Sequence, residues 1–194
     1  MVAVVVISAI ASAAGGQAPR TIHWPRGSSI LVRIDASHAP ADGPRLVERA
    51  MWTWTDAAEG RFTLATAAPK PTAAVRVRFL PNEANYGETL PVVDRRTGLI
   101  VSADVTINAA VAGDAVTRQI VVYLTALHEL GHGLGLPHTD VFSDIMYSFR
   151  RPDDGERYFG AYRKKLRAAG DIGSASATGL SPADVAALRQ LYDR

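Results

Sequence analysis

Residues Thr125–Tyr147 read TALHELGHGLGLPHTDVFSDIMY, and three of the chain's five histidines fall within them. His128 and His132 stand four residues apart, which on a helix puts both imidazoles on one face, one turn apart. Glu129 follows the first histidine at a neighbouring angle, where a carboxylate serves as base toward a water at the metal and not as a ligand. Gly135 admits the positive φ that ends a helix and turns the chain back, so that His138 arrives from outside the helix as a third ligand. Three protein ligands leave a fourth position for water, the arrangement of a catalytic zinc.

Upstream, Ile120, Leu124, Leu127 and Leu130, with Val121 nearby, keep the 3.6-residue period from a helix start at Gly113-Asp114 into His128. The metal-binding helix is therefore expected to be a core helix as well. Gly131, Gly133 and Gly135 cost that helix stability, which implies that backbone passes close to something there. Leu90–Val93 and Leu99–Asn108 flank the turn residues Asp94–Gly98 and read as a hairpin or wide loop, with Val105 and Ile107 facing the core. Val75–Phe79 alternates apolar residues with Arg76 and Arg78, the pattern of a half-buried strand whose arginines face water. Phe62–Leu64 is a short strand followed by a Pro69-Lys70-Pro71 loop, and Ile30–Asp35 is a first strand with Ile30, Val32 and Ile34 on one face. Between those two strands, Asp42-Gly43-Pro44 resembles a helix start with a capping side chain; Val47, Met51, Trp54 and Ala58 follow at helical spacing. The loop 81–91 holds Asn82, Glu83, Asn85 and Glu88, oxygen ligands for a structural Ca²⁺, but their spacing matches no calcium loop and a polar surface loop is the favoured reading.

Downstream of Tyr147 lies a strongly polar insertion with a short helix expected from Glu156 to Ala169, then a small-residue loop, Gly170–Gly179. Ser181-Pro182-Ala183-Asp184 caps a terminal helix whose Val185, Leu188, Leu191 and Tyr192 form one stripe. A length of 194 residues and 47% hydrophobic content suit one domain with a sizeable core. The formal charge of +2 comes with scattered arginines, which argues against a nucleic-acid partner. With no cysteine there are no disulfides, no thiolate zinc site and no cysteine nucleophile, so a metal must use histidine, carboxylate or water. Met1–Ile10 is apolar apart from Ser8 and is followed by small residues, so residues 1–20 read as an export leader ahead of a catalytic domain spanning 21–194, although no Lys or Arg precedes Arg20. The expectation is a secreted or cell-envelope protein, a monomer, touching a membrane only through an uncleaved N-terminal segment.

His128, Glu129, His132, Gly135 and His138, followed by Ser143-Asp144-Ile145-Met146-Tyr147, resemble the long zinc signature and methionine turn of the metzincin metalloproteases, most closely the matrixins. That resemblance implies an α+β fold: a twisted mixed sheet of about five strands, a long active-site helix, a helix before it and a C-terminal helix. It implies a zinc endopeptidase of protein or peptide substrates, with one catalytic Zn²⁺ on His128, His132 and His138 and Glu129 activating the zinc-bound water. Gly135 and Met146 are supporting residues, Met146 as a hydrophobic floor beneath the histidines; Tyr147 either assists or packs. The peptide would pair along an exposed sheet edge, for which Ala103–Asn108 is the expected strand. Animal matrixins carry a blocking cysteine and a second, structural zinc; this sequence has no cysteine and no histidine between His38 and His128. A zinc-stabilised binding module that has lost catalysis is the competing reading, and it requires a damaged site that the motif does not show.

Overall fold

The structure is a computed structural model that describes residues 21–67, 73–81 and 85–193. The expected leader at 1–20, the expected loop at Pro69–Pro71, and Asn82 and Glu83 lie outside the described residues. Five strands form one mixed sheet: β1 (Ser28–Asp35), β2 (Phe62–Thr66), β3 (Val75–Leu80), β4 (Gly87–Val93) and β5 (Ile100–Asn108), in the order β2-β1-β3-β5-β4. The first three pairings are parallel, and only β4, which pairs with β5, is antiparallel. Helix α1 (Gly43–Ala57) crosses between β1 and β2, while α2 (Ala115–Gly133) follows β5; α3 (Asp154–Arg163) and α4 (Pro182–Tyr192) complete the chain. This is the α+β arrangement that the signature implied.

Alternation along the strands puts Ile30, Val32, Val75, Val77, Phe79, Val105 and Ile107 inward, and these join Leu46, Met51 and Trp54 of α1 and Ile120, Leu124 and Leu127 of α2 in one core. The arginines of β3 face water as expected, and Arg76 meets Asp104 of β5 at 2.8 Å. Helix α2 begins where Asp114 accepts a hydrogen bond from the Thr117 backbone N–H. Its far end satisfies the carbonyls that a helix terminus leaves unpaired. Leu136 N–H returns to Gly131 O at 3.0 Å and Gly135 N–H to His132 O at 2.9 Å, a Schellman closure with Gly135 at φ +100°. Three side chains from distant elements add donors: Trp54 Nε1 to Leu127 O, Trp24 Nε1 to Gly133 O and the Tyr192 hydroxyl to Leu134 O.

Four expectations need correction. Ala103–Asn108 is not an edge, because β5 is flanked by β3 on one side and β4 on the other; the edge on this side of the sheet is β4. Asp42 does precede α1, but at φ 64° its side chain makes no cap, and its carboxylate binds Arg45 and Gln119 instead. The helix expected over Glu156–Ala169 starts and stops earlier, at Asp154–Arg163, and a separate 3-10 turn occupies Ala169–Asp171. The insertion is also less polar than its charge count suggests, since Tyr158, Phe159 and Tyr162 are buried and α3 packs on α2. Among the described residues no helix is long and apolar enough to cross a membrane.

Candidate metal and active site

The helical spacing of His128 and His132 and the turn at Gly135 bring three ring nitrogens to one point. The Nε2 atoms of His128, His132 and His138 lie 3.1–3.2 Å apart pairwise. The other nitrogens explain why this cluster suits a cation. His128 Nδ1 lies 2.6 Å from Ile145 O and His132 Nδ1 lies 2.9 Å from Leu136 O. A carbonyl only accepts, so each Nδ1 carries the proton and each neutral ring turns a bare Nε2 lone pair inward. The lone pairs of His128 and His132 have no proton to share and repel one another, which a cation between them would relieve. A tetrahedral zinc with Zn–N of about 2.0–2.1 Å places its ligands about 3.3–3.4 Å apart, within a few tenths of an ångström of the spacing found. Among the described residues these three histidines form the one cluster of metal-ligand type.

Burial and the neighbouring imidazoles keep the rings neutral: His128 is pushed down to about 3 and His132 to about 4, and burial lowers His138 as well. Neutral imidazole is the form that binds metal. The same shifts govern the metal-free protein. Its unfolded chain takes up protons on these rings from about pH 6.5 downward while the folded chain does not, so the shifts cost stability as pH falls. Glu129 acts in the opposite sense over its own window, from its ordinary 4.5 up to about 7, where the folded state holds the extra proton. The protons of His128 and His132, to which the lowering of His138 adds, outweigh the one carboxyl proton. The melting temperature of the chelator-treated protein is therefore expected to fall between about pH 7 and about pH 5, by calorimetry or circular dichroism; a constant or rising value would contradict the burial of the three rings.

His138 is fixed by its neighbour. Thr139 N–H donates to Met146 O at 2.8 Å and Ser148 N–H donates to Thr139 O at 3.0 Å, which ties the third-histidine loop to the methionine turn. Met146 is buried beneath the end of α2, and a Cβ built on Gly131 would lie 2.5 Å from its sulfur. That contact accounts for one glycine of the helix end, and Gly135 accounts for another, because a Cβ there would lie 2.0 Å from Ile22 O. Gly133 has only ordinary contacts, and nothing in the structure explains it. The turn is braced from α4, where Asp184 Oδ2 accepts from Ile145 N–H at 2.9 Å, on the residue whose carbonyl faces His128. Tyr147 reaches the same cavity, but its hydroxyl donates to the buried Asp154 at 2.9 Å and its ring packs between Phe142 and Phe149, as a packing residue does.

Glu129 is buried, and burial lifts its carboxyl to about 7, with a hydrogen bond from Thr89 pulling the other way and Glu88 adding to the rise. Thr89 Oγ1 stands 2.8 Å from Glu129 Oε2. Glu129, His128 and His138 border a cavity of about 330 Å³ whose wall includes Tyr86, Gly87, Phe149, Tyr158 and Phe159. Sequence reasoning missed Thr89, Gly87 and the aromatic wall; the close spacing of Tyr158, Phe159 and Tyr162 was the one available signal.

The family model for Matrixin matches residues 31–159, which include β2–β5, α1, α2, the three histidines and most of α3. No curated protein matches the chain significantly.

Proposed function

The chain belongs to the matrixin family of zinc-dependent metalloproteases, and from that premise we propose that it is an endopeptidase in which Glu129 is the base and His128, His132 and His138 are the metal ligands. The observation that carries this reading is the convergence of three histidine ring nitrogens beside one buried carboxylate, at a cavity that His128, His138 and Glu129 line. Zinc, when bound there, would polarise the scissile carbonyl and make a water molecule acidic enough to attack near neutral pH. Glu129 takes the proton that the attacking water gives up and returns it to the departing amine. A carboxyl near 7 suits both transfers, being basic enough to accept and acidic enough to give back.

Strand β4 supplies the docking edge. Asn108 N–H donates to Tyr86 O at 2.8 Å, and antiparallel alternation from that pair turns the backbone groups of Glu88, Leu90 and Val92 toward β5. Gly87, Thr89 and Pro91 turn theirs outward, and among the described residues no strand pairs with them. An extended peptide would find an N–H and a C=O at Gly87 and at Thr89, and a C=O alone at Pro91. The first two positions lie beside Glu129, so the backbone pairing would hold a substrate across the base.

Casein cleavage that is abolished by a chelator and restored by zinc is the expected result. One zinc bound per chain with no cleavage of casein or gelatin would favour the alternative, a zinc-stabilised binding module.

A further inference from the structure

We propose that Thr89 is a positioning residue for proton transfer: carried on the strand that docks substrate, its hydroxyl orients the Glu129 carboxylate, so that peptide pairing with β4 also steadies the base. This rests on the reading of Glu129 as base and adds to it the means by which that base is aimed.

The carboxylate is held from two consecutive outward-facing positions of β4. At one, Thr89 Oγ1 lies 2.8 Å from Oε2 and 2.9 Å from the Glu129 backbone carbonyl, so its one proton is shared between two acceptors, the side chain and the main chain of the same residue. At the other, Gly87 is bare: a Cβ there would lie 2.7 Å from Glu129 Cγ and 2.8 Å from Oε1. One oxygen is thus set by a donor and the other by a space that only glycine leaves. Among the described residues Thr89 is the side chain that donates to this carboxylate. The Thr89 methyl sits 3.9 Å from where a Gly133 Cβ would be, so the side chain is also seated against the end of α2. Because Thr89 and Gly87 turn their side-chain positions to Glu129 and their backbone groups to the open edge, a strand of substrate paired to that edge immobilises the two residues that frame the base.

The test uses the zinc-loaded full chain and compares Thr89→Ser, which keeps the hydroxyl, with Thr89→Ala, which differs from it only in lacking one; Thr89→Val adds an isosteric control. Loss of a hydrogen bond to a charged group predicts that Ala and Val lower kcat about tenfold or more, while Ser stays within about threefold of wild type. KM should change by less than about twofold, because the backbone that docks peptide is untouched. Zinc stoichiometry and the melting temperature of the metal-free protein should match among Ser and Ala. Equal losses in Ser and Ala, or wild-type kcat in Ala, would overturn the role of the hydroxyl. Glu129→Gln, measured in parallel, separates the two readings: full activity there removes the base assignment and this inference together, whereas an inactive Glu129→Gln beside a fully active Thr89→Ala removes this inference alone.

Discussion

Glu129→Gln is expected to lower kcat for peptide cleavage by about 10²–10⁴-fold, the range that a positioned general acid–base contributes. Zinc should remain bound at one per chain, because the carboxylate is beside the histidine cluster and not part of it. Glutamine keeps the volume of the side chain, so the close approach of Gly87 is preserved, and its amide oxygen still accepts from Thr89. What it lacks is a site that can take up a proton and release it near neutral pH. The burial that lifts Glu129 to about 7 would be of no use to a structural residue, since it only makes the charged form harder to hold. Single-turnover kinetics with zinc analysis on the same sample would check this, and a kcat within tenfold of wild type would refute the assignment.

Gly135→Ala is expected to be the most destabilising small substitution at the site, by about 3 kcal/mol or more, because two penalties add at that position. The backbone is at φ +100°, where an L-residue is strained, and the new methyl would meet Ile22 O at 2.0 Å. Backbone cannot yield as a side-chain tip can, so the turn must move. His138 lies three residues on and depends on that turn for its direction, so zinc affinity should fall with stability. A loss of this size lowers the melting temperature of a domain of this length by roughly 6–12 °C. Gly133→Ala is the control: its Cβ would make only ordinary contacts at 3.9 Å, and alanine favours a helix interior over glycine by up to about 1 kcal/mol. Equal effects at the two positions would mean that general helix damage, and not the crowded turn, is responsible.

The residues that could be read from sequence are those whose geometry is local. The four-residue step from His128 to His132, a helix start at Asp114, and a capping box at Ser181 and Asp184 each reduce to one element's dihedral angles, and each stands where its spacing put it. The identity of the edge strand is of another kind. β4 precedes β5 in the chain yet lies outside it in the sheet, because β5 returns to pair with β3; nothing in either strand's own pattern encodes that order. Thr89 was invisible for the same reason, since forty residues separate it from Glu129 and only the folded sheet brings them within hydrogen-bond reach. Asp42 had the right residue type for a cap, but with a left-handed backbone its carboxylate caps no helix N–H and is taken by the side chains of Arg45 and Gln119.

Pro91 has a bearing on how these molecules treat one another. A strand edge ready to receive a peptide is equally ready to receive the same strand of a second molecule, and sheets that extend in this way grow into fibrils. Leu90 and Val92, both exposed, would make such growth favourable. By withholding its N–H from the outward side, Pro91 leaves Gly87 and Thr89 as the outward donors before the strand's irregularity at Val92/Val93. An edge with two outward donors gives such growth little to pair with, while an extended peptide would still find the N–H and C=O of Gly87 and Thr89.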